Sequence, residues 1–213
     1  MDAPDDDSLM KRVQKRDPEA FRLLVDRHLP TVHRYLTRLS GSRADAEELS
    51  QETFLRVWTA AGSYRRRRGR FSTWLHRIAH NLHVDQRRRQ RNEPLLAEGE
   101  SRDPGPDPEQ SVALSEQDRQ LQLALMNLPE AQRSALLLCQ VQGLSTKQAA
   151  AVMGRSARSV ESLVARARRS LRRSLFTETA EPEPQRTPTR KAGGAGAAVN
   201  RHQTEPERRQ HDD

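Results

Sequence analysis

Residues 44–58 read ADAEELSQETFLRVW, and residues 62–75 continue GSYRRRRGRFSTWL. At about 100° per residue, Ala46, Leu49, Phe54, Val57, Trp58 and Ala61 gather on one side of a helix, which makes that side core. Ser42 has the chemistry of an N-cap and Gly62 that of a stop. Asp45, Glu48, Glu52, Leu55 and Thr59 fall opposite, with Gln51 at the margin, so one leucine interrupts an acidic stripe. On an isolated helix such a stripe is usually a solvated face. Here a strongly basic segment follows at once, and the stripe reads as a docking face for a basic helical partner.

That basic segment holds Tyr64, Arg65, Arg66, Arg67, Arg68, Arg70 and Phe71, then a helix opened by Ser72 or Thr73. The helix has Trp74, Leu75, Ile78, Ala79 and Leu82 on its apolar face, carries Arg77 and Asn81, and runs out through Arg87, Arg88, Arg89 and Arg91. Between residues 65 and 91 there are ten arginines and one acid, Asp85. So dense a cationic run calls for a polyanion. Aromatics beside arginines are what single-stranded bases stack on. Trp74 reads as core, whereas Tyr64 and Phe71, in or next to the turn, read as open to bases.

The two strings ELSQETFLRVW and GRFSTWLHRIAHNLHVD resemble the second conserved region of bacterial sigma factors of the extracytoplasmic-function group. The resemblance implies that Glu48, Gln51 and Glu52, with Asp45 and Leu55 on the same face, grip the clamp helices of the largest subunit of core RNA polymerase. It also implies that Asn81 and the turn from Tyr64 to Phe71 capture an extruded base of the downstream promoter element, supported by Arg77, Arg87 and Arg88. Extruding a base costs a few kcal/mol of unstacking, so the receiving groups must already be in place.

Composition agrees with a nucleic-acid partner. The 213 residues carry a net charge of +8, with 34% hydrophobic and 31% charged residues, which allows one or two small domains with modest cores. A single cysteine, Cys139, excludes an internal disulfide, fits a reducing cytoplasm and reads as a small core residue. The start, MDAPDDD, has no apolar stretch of the kind a signal peptide needs, and no run is long enough to span a membrane.

The expected architecture is all-α: two small helical domains joined by a flexible acidic linker. Residues 1–16 read as a flexible acidic N-terminus. Residues 17–92 form the first domain, in which Asp17 caps and Pro18 opens a helix that buries Phe21, Leu24, Val25, Val32, Tyr35, Leu36 and Leu39. Residues 93–110, rich in acids and prolines, form the linker. Residues 111–175 form the second domain, and residues 176–213 read as a disordered tail.

In the second domain Leu128 and Pro129 separate two helices, and Gly143 ends the latter. Ser145 with Gln148 makes a capping box, Gly154 breaks the short helix that follows, and Ser156 caps the next. Two short helices about a glycine turn are a helix-turn-helix, whose second helix lies in the major groove. Val160, Leu163, Val164, Ala167 and Leu171 mark that helix's buried side. Arg155, Arg158, Ser159, Glu161, Ser162, Ala165, Arg166 and Arg169 mark the side that faces the upstream promoter element. Arg168, Arg172 and Arg173 suit phosphates. LPEAQRSALLL with GLSTKQAAAVMG resembles the fourth conserved region of the same sigma-factor group. The family commonly has lysine where Glu161 stands and arginine where Leu163 stands.

His76, His80 and His83 share one helical face at a spacing that could hold a metal, but Arg77 and Arg87 oppose a cation, so the reading is a polar face near DNA and no metal. No nucleophile with a base and no phosphate-binding glycine loop is present, and neither enzyme chemistry nor a cofactor is expected. The partners implied are core RNA polymerase, promoter DNA and an anti-sigma factor, with no membrane. The rivals are a stand-alone helix-turn-helix regulator, which has no need of the acidic helix, and a nonspecific basic architectural protein.

Overall fold

Asp17 starts the element around which the first domain is built. Its carboxylate accepts from the backbone N–H groups of Glu19 and Ala20 at 3.0 and 3.1 Å, and Pro18 takes the first helical position. The computed structural model describes residues 4–92 and 115–177. The expected linker, 93–110, and nearly all of the expected tail lie outside the described residues, among which there is no strand.

Eight α-helices order the chain: α1 (Asp6–Val13), α2 (Pro18–Ser40), α3 (Arg43–Thr59), α4 (Phe71–Asn92), α5 (Glu116–Met126), α6 (Glu130–Leu136), α7 (Thr146–Met153) and α8 (Ala157–Thr177). Pro30 lies inside α2, which continues through it. Gly41 ends α2 at φ 78°, a left-handed conformation, and Met126 Sδ stands 2.7 Å from where a Cβ would project. Both facts make glycine the residue for that corner. Ser42 caps α3 as expected, accepting from Asp45 N at 3.1 Å.

Three boundaries differ from the sequence reading. Residues 6–13 are not a flexible tail but α1. Asp5 caps it, with its side chain accepting from Ser8 N at 2.7 Å, and Leu9, Met10 and Val13 are wholly buried against the first domain. Those three apolar side chains bury enough surface to hold a helix that its acidic start disguises. α3 stops at Ala60 rather than Gly62, and two short 3₁₀ turns, Ala61–Ser63 and Arg66–Arg68, fill the connection to α4. α4 starts at Phe71, one residue ahead of Ser72.

In the second domain the turns fall where the sequence puts them. Ser145 and Gln148 form the reciprocal capping box, Gly143 and Gly154 are left-handed, and Ser156 accepts from Ser159 N at 3.2 Å. A π turn, Leu137–Val141, follows α6 and carries Cys139, which is half-buried against the core, with burial pushing its thiol pKa up. α6, α7 and α5 pack on α8, and α7 packs on α4. α4 is thus covered on two faces: Phe71, Leu75, Ala79 and Leu82 turn to the first domain's core, while its histidines turn to the second domain.

Candidate nucleic-acid interface

Exposure on α3 follows the helical period. Ala46, Leu49, Thr53, Phe54 and Val57 are buried. Glu48 and Gln51 are exposed, Asp45 and Glu52 half-exposed, and Leu55 is 55% exposed, the largest exposure of any large apolar side chain in the described residues. Arg56 Nε donates to Glu52 Oε1 at 2.8 Å, a pair on the surface. Glu48, Gln51, Glu52 and Leu55 line an open groove of about 600 Å³ whose far wall is Leu82, Gln86 and Arg89 of α4. An apolar knob ringed by carboxylates and an amide suits a helix that presents both aliphatic and basic side chains.

The basic turn is organised differently from the expectation. Tyr64 is 5% exposed and Phe71 2%, so neither ring is open to a base. Tyr64 packs edge-on to Phe71 at 6.0 Å and tilted against Trp74 at 5.3 Å, and Phe71 meets His28 at 5.1 Å. Both rings turn inward because aromatic partners meet them there and, for Tyr64, the Asp7 carboxylate of α1 accepts from its hydroxyl. Trp74, read as core, is the half-exposed member of the group.

Arg65, Arg66, Arg67, Arg70, Arg77, Asn81, Arg87 and Arg88 are exposed. The Arg68 side chain lies outside the described residues. Arg77, Asn81 and Arg88 recur at helical spacing on one stripe of α4, and with Arg70 they extend the cationic surface from the turn along the helix. Tyr64, Arg65, Gly69, Arg70, Trp74 and Arg77 line a cavity of about 150 Å³, to which Ala151 of α7 also contributes. Arg88 pairs with Asp85 at 3.1 Å, and Arg87 donates to Gln90 at 3.4 Å. Both contacts are exposed and exchangeable for phosphate at small cost.

The three histidines are not a polar face near DNA. His76, His80 and His83 are all buried, because α4 sets them between Tyr35 of α2 and the second domain. His76 Nδ1 donates to Ser72 O at 2.7 Å, its Nε2 meets the side-chain amide of Gln142 at 3.0 Å and, in the neutral ring, is left to accept from that amide, and His80 Nδ1 meets Tyr35 OH at 3.2 Å. Burial pushes all three pKa values down, that of His80 to about 4 with help from Arg155, and that of His83 to about 3 with help from His80, Arg87 and Arg133. They are neutral at physiological pH. Among the described residues no group of three or more His, Cys, Asp or Glu is arranged to hold a metal ion.

Arg155 in the turn ahead of α8, and Arg158, Glu161, Ser162, Ala165, Arg166 and Arg169 on it, are exposed, and Arg168 and Arg172 lie beside them. Ser159 is half-buried and its N–H is engaged by the Ser156 cap. Val160 and Ala167 are fully buried, with Leu163, Val164 and Leu171 packed against them. Leu163 therefore serves the helix pair rather than a base.

Two stretches of the chain match models of one protein family. Residues 24–93 match Sigma-70 region 2, and residues 118–171 match Sigma-70 region 4. The chain is 40% identical, over 74% of its length, to the ECF RNA polymerase sigma factor SigE of Mycolicibacterium smegmatis, and spans 62% of that protein. It is 35% identical to the ECF RNA polymerase sigma-E factor of Haemophilus influenzae, covering 80% of this chain and 95% of the relative. Its fold superposes on RpoE of Bartonella quintana, solved with the anti-sigma factor NepR, with TM-score 0.59 and 28% identity over 74% of this chain and 98% of that one. A stand-alone helix-turn-helix regulator accounts for the second matched region only.

Proposed function

The chain belongs to the sigma-70 family, in its extracytoplasmic-function group, and from that membership we propose that it binds core RNA polymerase and directs it to promoters. The observation that carries the reading is the pairing on one small domain of an acidic face with an exposed leucine and an arginine-lined stripe, followed by a helix-turn-helix.

Asp45, Glu48, Gln51, Glu52 and Leu55 form the polymerase contact. Arg65, Arg66, Arg67, Arg70, Arg77, Asn81, Arg87 and Arg88 take the opened downstream strand, the arginines its phosphates and Asn81 a base edge. Trp74 replaces Tyr64 and Phe71 as the ring a base can reach. Arg155, Arg158, Ser159, Glu161, Ser162, Arg166 and Arg169 read the upstream duplex, where arginine pairs with guanine and glutamate accepts from a cytosine amino group. The catalytic step is the polymerase's, in the cytoplasm, and this chain needs no cofactor for its part. An anti-sigma factor, as in the Bartonella complex, is the proposed inhibitor.

The test is reconstitution. Full-length chain added to core polymerase on genomic templates should yield transcripts from discrete start sites. DNA binding without any such transcript removes the sigma reading and leaves the duplex-reading regulator.

A further inference from the structure

The turn that faces DNA in the proposed function is held by a helix no part of that function uses. Four arginines in succession, Arg65 to Arg68, repel one another, and an unsupported turn of this composition would be spread over many conformations. It is not unsupported. Tyr64 OH donates to Asp7 Oδ1 at 2.5 Å, and Arg66 pairs with the other carboxylate oxygen of Asp7. Gln14, at the far end of α1, donates through Nε2 to Ala61 O and to Tyr64 O, both at 3.2 Å. α1 therefore grips the turn at both ends, across 47–57 residues of sequence. α1 is itself anchored by Leu9, Met10 and Val13, and by Asp6, which holds Arg27 and His28 of α2 at 2.6 and 2.9 Å.

We propose that Asp7 is a positioning residue for promoter-strand capture: by holding the Tyr64 hydroxyl and the Arg66 guanidinium it sets the turn in its receiving shape before DNA arrives. The inference rests on the strand-capture reading of residues 64–70. Tyr64 touches no base in this account. Its ring is packed between Phe71 and Trp74, so fixing its hydroxyl fixes the floor of the cavity from which Arg65, Arg70 and Arg77 project. A turn ordered in advance does not pay its ordering entropy when the strand binds.

The sign of the effect separates this role from simple electrostatics. Asp7 is an acid beside a DNA-facing surface, and on charge alone its removal should tighten binding to phosphates. If it positions the turn, Asp7→Ala should weaken binding, by about fivefold or more for a turn of several residues released. Asp7→Asn, which can still accept from Tyr64 OH, should recover part of the loss. Tyr64→Phe should add little to Asp7→Ala, since both remove the same bond.

Two measurements on full-length chain decide it. The first is amide hydrogen exchange across residues 61–70, which needs no DNA: faster exchange in Asp7→Ala than in wild type supports the clamp, and unchanged exchange overturns it. The second uses holoenzyme and a pool of random-sequence single-stranded DNA, from which the wild type selects a preferred oligonucleotide. Weaker binding of that oligonucleotide by Asp7→Ala, partly restored in Asp7→Asn, supports the proposal, and equal or tighter binding overturns it. Selection of no preferred sequence by the wild type would sink the strand-capture reading itself, while the exchange rates would still decide the clamp.

Discussion

Arg133 Nη1 donates to Leu39 O at 2.9 Å, so a guanidinium from α6 closes the C-terminal end of α2, 94 residues away. The last carbonyls of a helix have no partner within it, and a cation there also meets the negative end of the helix dipole. Arg133 is buried, its Nε has no hydrogen-bond partner, and Glu130 next to it on α6 supplies the nearest compensating charge. The bond joins the two domains.

Arg133→Ala should therefore loosen the domain interface rather than unfold either domain. The expected cost is about 2–4 kcal/mol at that interface, from a buried carbonyl left bare and a void in its place. Arg133→Met, which fills the void, should cost less. Scattering or a distance probe between residues 48 and 162 would show a wider molecule for alanine than for methionine, and no widening for either would refute the assignment.

Acid should act on the same interface. His76, His80 and His83 have folded-state pKa values below the ordinary 6.5, near 4 for His80 and near 3 for His83. When the interface opens or the chain unfolds they can take up protons, so stability is complete above about pH 6.5 and falls as pH drops toward 4, by about 1.4 kcal/mol per pH unit for each of His80 and His83, with His76 acting in the same direction. The groups facing them are His28, Tyr35, Arg87, Glu130, Arg133, Gln142 and Arg155. Denaturation midpoints at pH 7.5 and 5 should differ, and His83→Gln should reduce the difference. Equal midpoints in wild type would contradict the burial.

Glu48→Lys with Glu52→Lys should abolish association with core polymerase. Both positions are on the solvent side of α3, so stability should change by no more than about 0.5 kcal/mol each. Co-purification with core polymerase, beside a thermal melt, checks the two halves of this statement, and intact association would remove the role given to the acidic face.

Arg158→Ala and Arg168→Ala should separate reading from anchoring. The first should cost about 1–3 kcal/mol on the preferred upstream duplex and relax the preference at one base pair, while the second should weaken all duplexes alike and lower the salt slope by about one. Titrations at several salt concentrations distinguish them.

Gly154 sits at φ 62° with no atom within 4 Å of a Cβ placed there, so Gly154→Ala should cost only the left-handed backbone, about 1–2 kcal/mol, and Gly154→Asn less. A loss far larger would mean the helix-turn-helix corner is packed more tightly than this.

The local code was legible where neighbouring residues decide the outcome. Asp17 and Pro18, Ser42, the Ser145–Gln148 box, Gly143, Gly154 and the Ser156 cap all act within four residues, and each does what its type dictates. The acidic stripe of α3 and the arginines of α8 were legible for the same reason, since one-sided burial imprints a period of 3.6. Tyr64, Phe71 and the histidines were not. α4 is buried on two faces, so its histidine stripe looked solvent-facing although it meets Gln142 and the second domain. The acids of α1 dominate its composition and mask the helical spacing of Leu9, Met10 and Val13 behind the Asp5 cap.

By itself the sequence determined that the chain is helical, where most helices start and stop, and which faces carry acid or arginine, because those properties depend on contacts a few residues apart. Only the tertiary structure decided what each face meets. Asp7 against Tyr64, Gln142 against His76 and Arg133 against Leu39 are pairings 57, 66 and 94 residues apart. No local spacing encodes them, since bringing such residues together depends on the packing of the whole core, whose burial outweighs the entropy of closing the loops between them.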